Sequence, residues 1–493
     1  MNYKFGSTDV HKIVKEILGE FIHDQKSPSH VRDPSDPLPR FIGTGDGRQI
    51  HISRRIDELI SDIARYMMRR NSSVESRFSA KDLTRLVRKA FGPALIKVDL
   101  DQDIDQNVTL LWNDVEELVS RDIDWILSSG NLEYTFGCTL FSYDDIAAFE
   151  IGPVRFEPRM AWLDRKSSGG RWACVGAGGR IERFAHKVAD GPISGVTRRR
   201  VIQAWQGKKL KSRKASRDAH DESFILETVE DCKYVCSVNV PGFGGEAGAH
   251  KAMISTRLAL AAVSLAWETP SEALKGIGLL VDCRHQYGTT MSFTPDGLIF
   301  GGRSGSKRLH APWVERDKLE ESLRDFSDCF AIAGDSISAY LDPDGSSERL
   351  VLMNAIAHSL LWFYEGCRET VDQIAIVKFS SAMEVLTGGF VWKAGNGKKI
   401  KGGQPALREL LKANLEIDDD TVITRDGKTV KDVVELIYSA GRNRMIHGEN
   451  KAFGNDWSIE RASAEKLSRY CLVAYLGRVF ENPMFDNPKQ LMQ

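Results

Sequence analysis

The residue types best suited to chemistry lie in one short segment near the end of the chain, Gly441–Gly448, with the sequence GRNRMIHG. The imidazole of His447 titrates near neutral pH and can act as a general base or acid. The guanidinium of Arg442 can hold a phosphate and stabilise the charge on a pentacoordinate phosphorus, and Asn443 can orient either group. Together these side chains suit cleavage of RNA by its own 2′-hydroxyl, a reaction that needs no metal ion.

The spacing of Arg442 and His447 is weak evidence by itself. An arginine and a histidine separated by about four to six residues are expected roughly twice by chance in a chain this rich in arginine. Three other pairs fall within this range, Arg180 with His186, Arg213 with His220 and Arg303 with His310. Those pairs lie in loop or strand-like segments without an asparagine beside the arginine. We therefore interpret them as chance matches.

A series of amphipathic helices is predicted from Lys318 to the end of the chain, and the motif lies among them. Apolar residues recur at helical spacing in Glu348–Glu365, Thr370–Leu386, Pro405–Leu415, Val430–Ala440 and Ser458–Phe480. The pattern predicts an all-α bundle, which we assign to residues 318–493.

The rest of the chain divides into two regions. Residues 1–130 are predicted to be mostly helical, with Asn107 as a helix N-cap. The predicted helices there are Val10–Phe21, Ser53–Arg69, Ser79–Phe91 and Asn107–Leu127, and a proline-rich loop covers Pro28–Pro39.

Residues 131–317 are predicted to be a mixed α+β domain with a sensor or regulatory role. Its predicted strands are Tyr134–Phe141, Val154–Trp162, Ile225–Val240, Gly276–Cys283 and Thr290–Phe300, with a helix over Ala249–Trp267. The predicted fold class is therefore α+β and multidomain.

Composition excludes several functional classes. Lys and Arg number 67 against 68 Asp and Glu, a net charge of -1, which excludes a polycation held to nucleic acid by global charge. The longest apolar stretch, Leu258–Trp267, is too short to cross a bilayer, which takes about 20 residues. Met1–Gln25 lacks a signal-peptide core. These features predict a cytoplasmic protein with no membrane partner.

Cysteine usage favours neither disulfides nor a metal site. The closest pair among the eight cysteines is Cys232 and Cys236, and no further cysteine or histidine lies near them in sequence. Their alternation with apolar residues is more typical of one face of a strand. We predict no metal site and no cofactor.

The segment 441–448 resembles a known family. Arg442, Asn443 and His447 match the RNxxxH signature of HEPN ribonucleases. Leu436–Tyr438, Gly448, Phe379–Leu386 and Ala357–Tyr364 are similar to the ApeA-like HEPN branch, so that the resemblance covers roughly the last 150 residues. It implies a metal-independent endoribonuclease that is usually dimeric and often a toxin or antiviral effector.

Helix geometry suggests how such a site is assembled. Residues five apart, such as Arg442 and His447, point about 140° apart on an ideal α-helix. One copy of the motif does not easily aim both groups at one phosphate, whereas two copies across a twofold axis could. We also predict supporting roles for Glu384 and Arg444. Glu384 could orient Arg442 from the neighbouring helix, or it could be an exposed residue of an amphipathic helix.

Two basic segments could contact RNA. Gly191–Arg217 contains no acidic residue and includes Arg198, Arg199 and Arg200. Basic side chains together with Trp205 suit a phosphate backbone and a stacked base, although a solvated loop is the competing interpretation. Gly388–Gly403 includes Lys398, Lys399 and Lys401. It could guide RNA to the motif, or it could be a disordered linker.

The sequence therefore predicts an endoribonuclease that leaves a 2′,3′-cyclic phosphate. Its expected partners are RNA such as tRNA, a second copy of the chain bound through the C-terminal bundle, and a phage-derived trigger. Family analogy implies antiphage defence by abortive infection, with activity gated by the N-terminal region. One alternative is a non-catalytic HEPN-fold scaffold that binds RNA or protein. Another places the chemistry in the middle domain, with the bundle serving only to dimerise.

Overall fold

The structure is a computed structural model, and it describes residues 7–26, 40–99, 101–168, 193–282, 287–293, 295–296, 299–306, 310–342, 344–389, 391–393, 399–424, 427–446, 448 and 456–492. Within them the chain is a mixed α+β protein, mostly helical with small sheets, which confirms the predicted fold class at that level. The predicted loop Pro28–Pro39 lies outside the described residues. None of the described helices is long and apolar enough to span a membrane.

The described residues form two compact units. The first unit comprises the described residues of Met1–Glu133 and Asn239–Ala252. Up to residue 133 its elements are α1 (Ser7–Lys26), β1 (Arg40–Gly43), β2 (Gln49–Ile52), α2 (Arg54–Arg70), α3 (Ser72–Arg77), α4 (Ala80–Leu95) and α5 (Ile104–Ser129). Strands β1 and β2 pair antiparallel, and the helices bury their apolar faces in one core.

Side-chain caps explain where these helices begin. Ser53 accepts a hydrogen bond from the backbone N–H of Ile56 at the start of α2, and Ser79 and Asp82 form a reciprocal capping box at the start of α4. The predicted N-cap Asn107 is wrong, because α5 begins one turn earlier behind Asp103. Asn107 is instead buried, and its amide donates to the carbonyl oxygen of Asp99.

The second unit takes the described residues of Tyr134–Ser168, Ile193–Val238 and Met253–Gln493. From Asn131 to Ser306 the chain forms β3 (Asn131–Thr139), β4 (Phe149–Ile151), β5 (Val154–Pro158), α6 (Arg159–Ser168), α7 (Gly195–Trp205), α8 (Arg217–Val229), β6 (Tyr234–Pro241), α9 (Gly245–Ser264), α10 (Pro270–Gly276), β7 (Gly278–Leu279), β8 (Tyr287–Phe293) and β9 (Ile299–Ser306). Five strands form a sheet in the order β4-β5-β6-β3-β7, and β8 pairs with β9.

Several predicted strands are shorter than expected. Met160 and Trp162 lie in α6, and Ile225 lies in α8. One core cluster contains Trp162, Ile225 and Val229. The short apolar runs that fit a strand pattern in the sequence therefore form the buried faces of helices. The run from Gly276 keeps only β7 as strand, because a 3₁₀ turn follows at Leu280–Asp282.

The C-terminal part of this unit is largely helical. It comprises α11 (Arg316–Asp325), α12 (Ser327–Leu341), α13 (Leu350–Arg368), α14 (Asp372–Leu386), β10 (Val391–Lys393), β11 (Lys399–Lys401), α15 (Gly403–Leu415), α16 (Val430–Glu435), a π-helix (Leu436–Asn443), α17 (Arg444–Ile446) and α18 (Ser458–Glu481). Helix α14 packs against α13 and α18, and α12 packs against the same two helices. The segment Gly388–Gly403, predicted to be a basic loop or a disordered linker, contains the antiparallel pair β10–β11.

Close contacts join the sheet region and the helices within this unit. A Cβ atom added to Gly152, in the β4–β5 turn, would lie 2.4 Å from the carbonyl oxygen of Gly334 in α12. The buried carboxylate of Glu465 in α18 accepts hydrogen bonds from the backbone N–H of Ser271, at 2.7 Å, and from its hydroxyl. Glu465 therefore satisfies a free N–H at the start of α10, whose own N-cap Thr269 makes no side-chain bond.

Candidate functional site

The segment that carries Arg442 is wound as a π-helix. Helix α16 starts at a capping box between Thr429 and Asp432, and Leu436–Asn443 then continues with the wider i to i+5 pattern before α17 returns to α-helix. Such turns are rare and occur frequently at functional sites. The ideal α-helix from which we predicted that Arg442 and His447 diverge is therefore not the conformation of this segment.

A glycine allows the π-helix to lie close to α14. A Cβ atom added to Gly441 would lie 2.6 Å from Cγ2 of Ile376, well inside the separation that two carbon atoms tolerate. Gly441 itself is buried. The position thus needs glycine so that the backbone beside Arg442 can pack against the helix that carries Glu384.

The side chains of Glu384 and Tyr438 hold Arg442 in place. We call these three residues the Arg442 cluster. Nη2 of Arg442 lies 2.7 Å from Oε2 of Glu384, and its Nη1 donates to the hydroxyl of Tyr438 at 3.0 Å. That hydroxyl donates in turn to Oε1 of Glu384 at 3.2 Å. The guanidinium carbon lies 5.0 Å from the centre of the Tyr438 ring. The three groups therefore close a ring of hydrogen bonds that fixes the plane of the guanidinium.

The Arg442 cluster is only partly open to solvent. The side chains of Arg442 and Glu384 are 21% and 26% exposed, and Tyr438 is buried. Burial, followed by the Glu384 carboxylate, raises the pKa of Tyr438, so its hydroxyl keeps its proton at neutral pH and remains a donor. Nε of Arg442 is buried without a hydrogen-bond partner among the described residues. The remaining N–H groups on the two Nη atoms are the ones able to reach a ligand.

The end of the β10–β11 hairpin packs against the Arg442 cluster. Gly402 and Gly403 have φ angles of +70° and +71°, a region that favours glycine. Added Cβ atoms would lie 3.4 Å from Oε1 of Glu384 and 3.6 Å from the Tyr438 hydroxyl, respectively. At the next position the Gln404 amide donates to the hydroxyl of Ser439 in the π-helix. The lysine-bearing segment predicted to guide RNA therefore ends directly on the candidate site.

The remaining residues predicted for this site are placed only in part. Asn443 is the last residue of the π-helix and is half-buried. Arg444 begins α17, and its side chain lies outside what the structure describes. His447 and Lys398 also lie outside the described residues. Lys399 and Lys401 are residues of β11, and nothing is described of their side chains. The structure thus brings Glu384 and Arg442 together and leaves the position of His447 open.

The predicted basic segment contains both paired and exposed side chains. Arg198 pairs with Asp164, and Arg200 makes two hydrogen bonds to the carboxylate of Glu222, at 2.7 and 3.0 Å. Arg199 is exposed. The predicted contact of these arginines with RNA remains a prediction, although two of the three already have a partner within the fold.

A second polar site is a cleft of about 280 Å³ that includes Arg257, Asp282, Glu369 and Lys378. Arg257 binds both carboxylate oxygens of Asp282, at 3.0 and 2.7 Å, and Lys378 lies 2.8 Å from Glu369. These cations and anions pair with one another, so we assign them to the stability of the fold. Among the described residues, no group of three or more His, Cys, Asp or Glu could hold a metal ion.

Sequence reasoning missed Tyr438 as a contact of Arg442. The signal was present in its spacing, since residues four apart share one helix face, but nothing in the sequence indicated that its hydroxyl would also reach Glu384. Comparison with protein-family models, with curated proteins and with solved structures found no match for this chain. The geometry of the site is therefore the main guide to what it does.

Proposed function

We propose that the protein is a metal-independent endoribonuclease of the HEPN type. The observation that carries the proposal is the Arg442 cluster, in which a guanidinium is fixed on a π-helical turn five residues before His447. Oriented hydrogen-bond donors stabilise developing negative charge best when they need no rearrangement during the reaction. Glu384 and Tyr438 hold the guanidinium of Arg442 in one orientation before the reaction begins.

The proposed reaction needs only groups of the chain and of the RNA. His447 removes the proton of a ribose 2′-hydroxyl, and the 2′-oxygen attacks the adjacent phosphorus. Arg442 stabilises the pentacoordinate intermediate through its free Nη N–H groups, and Asn443 orients the imidazole or the phosphate. The bond to the 5′-oxygen then breaks, and that oxygen takes a proton from an imidazolium. The products are a 2′,3′-cyclic phosphate and a 5′-hydroxyl.

We further propose that two copies of the C-terminal bundle form a shared site. Exposed apolar side chains beside the motif support this, since Ile446 is 56% exposed, Val371 41% and Ile374 38%. Helix α17, which carries Ile446, packs against α14, the helix that carries Ile374. A contiguous exposed apolar surface is typical of a protein interface. In such a dimer one imidazole would act as the base and its twofold mate as the acid.

The biological role is proposed from the family resemblance alone. It is antiphage defence, in which RNA such as tRNA is cut after a phage-derived trigger releases a nuclease held inactive by the N-terminal residues.

The proposal is tested by incubating the purified full chain with total RNA in EDTA and mapping the ends of the products. We expect cleavage that His447→Ala abolishes and Arg442→Lys reduces severely, because lysine lacks the planar fork that grips two phosphate oxygens. The matched control is His310→Ala, which removes an exposed histidine whose arginine spacing we interpret as a chance match.

Each competing interpretation gives a different result in the same assay. A scaffold gives no cleavage with any variant, and chemistry in the middle region gives cleavage that survives His447→Ala. A 5′-phosphate product or a requirement for magnesium would contradict the mechanism. DNA should resist, and 2′-O-methyl RNA should resist at the modified position.

A further inference from the structure

We infer that the loop Gln206–Ser216 and the exposed face of α8 form a binding surface for single-stranded RNA, which we call the α7–α8 surface. The choice of RNA as the polyanion rests on the proposed function. The surface itself is argued from charge, pairing and exposed rings.

The α7–α8 surface concentrates positive charge in a chain that is otherwise balanced. Residues 193–224 contain nine Lys and Arg against three Asp and Glu, whereas the whole chain has a net charge of -1. A local excess of this size attracts polyanions even when the global charge does not.

The basic side chains of this surface fall into two groups. Some arginines are paired within the fold and hold the loop in place, and the other cations, which we call the displayed cations, are exposed. Arg213 donates to Glu222 at 3.0 Å and to Asp218 at 3.2 Å. Arg200, which also binds Glu222, donates to the carbonyl oxygen of Lys211 at 2.9 Å. These bonds fix the loop at two points, because Glu222 is buried. The loop is therefore held in place while its lysines face solvent.

The displayed cations have no ion-pair partner among the residues that the structure describes. They are exposed, and none makes an ion pair with any residue that the structure describes; they are Arg199, Lys208, Lys209, Lys211 and Lys214. Five such groups beside one another would repel unless a polyanion neutralises them. Contacts of this kind position a phosphate backbone but read no sequence.

A pair of exposed rings lies on the helix that follows the loop. His220 and Phe224 are one turn apart on α8, and their rings are nearly parallel, with centres 5.8 Å apart and an angle of 15°. Phe224 is 64% exposed, so much of its ring is open to a ligand. Basic side chains beside exposed aromatic rings are the combination that binds single strands, since a free base can stack on the ring.

This combination favours single-stranded RNA over other polyanions. A duplex hides its base faces and would use the lysines but not Phe224. An anionic membrane would also attract the lysines, but it carries no base that could stack on Phe224.

The test measures binding of a short unstructured RNA to the full-length chain carrying His447→Ala, at several salt concentrations. If each displayed cation meets one phosphate, the logarithm of affinity should fall with the logarithm of salt concentration with a slope of about −3.5, at about −0.7 per contact. Changing Lys208, Lys209 and Lys211 to Gln together should reduce that slope by about 2. Phe224→Ala should weaken binding of the single strand about tenfold and leave the affinity for a duplex unchanged.

The matched control changes Lys12, Lys466 and Lys489 to Gln, since these lysines are also exposed but lie outside the α7–α8 surface. Equal losses in the two triple variants, or no loss in either, would overturn the inference. So would an unchanged affinity of Phe224→Ala for the single strand, or tighter binding to phosphatidylserine vesicles than to RNA. The readout is binding, so its outcome stands whether or not the wild-type chain cleaves RNA, and failure of the proposed nuclease is detected separately in the cleavage assay.

Discussion

Tyr438→Phe tests the Arg442 cluster most directly, because it deletes one oxygen and keeps the ring that packs under the guanidinium. The lost hydroxyl accepts from Arg442 at 3.0 Å and donates to Glu384 at 3.2 Å. Hydrogen bonds to charged groups contribute about 1.5–3 kcal/mol each when water is excluded. Arg442 and Glu384 remain 21% and 26% exposed, so water can replace part of each bond, and we expect a loss of stability of about 1 kcal/mol.

The effect on catalysis should exceed the effect on stability. With one of its two anchors removed, the guanidinium can shift by a fraction of its length, and misplacement of about 1 Å can cost roughly a hundredfold in rate. We expect kcat to fall about tenfold to a hundredfold, with little change in KM, because the group acts on the transition state. Since burial raises the pKa of Tyr438, its hydroxyl is protonated from pH 5 to 9, and the ratio of the two rates should be constant over that range.

The assay is cleavage of a labelled RNA, with urea unfolding measured on the same samples. Tyr470→Phe is the matched control, since Tyr470 is a 44% exposed tyrosine of α18, outside the Arg442 cluster. A wild-type rate for a stably folded Tyr438→Phe variant would refute the positioning role of the hydroxyl. A ratio that changes with pH between 5 and 9 would show that the tyrosine itself titrates during turnover.

Three further predictions follow from the same contacts. Glu384→Gln should lower kcat about tenfold, because Arg442 and Tyr438 donate to different carboxylate oxygens and the amide nitrogen that replaces one of them cannot accept; a faster enzyme would mean that Glu384 competes with the phosphate for Arg442. Gly441→Ala should destabilise the protein by about 1–3 kcal/mol, since the new methyl would lie 2.6 Å from Ile376. In urea unfolding, the double variant with Ile376→Ala should lose less stability than the sum of the two single variants. Burial raises the pKa of the Cys236 and Cys471 thiols to about 12. As pH rises, these thiols lose their protons in the unfolded chain before they do so in the folded chain. The free energy of unfolding should therefore fall above pH 9, by about 1 kcal/mol per thiol between pH 9 and 10. A flat unfolding free energy across that pH range would contradict the last prediction.

Local pattern was sufficient for most helices. Helix α2 has both a strong apolar face and a serine cap, so its start could be predicted to within a residue. The contact of Glu384 with Arg442 was one of two alternatives that the sequence left open, because the two residues are far apart in the chain and α15 lies between their elements. The helix starts depend on interactions within a helix, whereas this contact depends on tertiary packing.

Features that depend on distant contacts could not be predicted. The π-helical turn requires Gly441 to approach Ile376 more than sixty residues away, and no local propensity encodes that approach. The same holds for Asp103 replacing Asn107 as the cap of α5, since both residue types cap helices equally well and the buried position of Asn107 decides between them. The pairing of β10 with β11 was hidden in a segment whose glycines and lysines are typical of a linker.

The close approach of Gly152 and Gly334 limits how this chain can vary and recombine. A side chain at either position would meet the other's backbone at 2.4 Å, and backbone on both sides cannot yield as a flexible side chain would. A chimera that joins residues 134–168 of one parent to α12 of another can fold only if both parents have glycine at the corresponding positions. The two glycines thus constrain each other, and a shuffled library should yield folded protein only among clones that keep glycine at both positions.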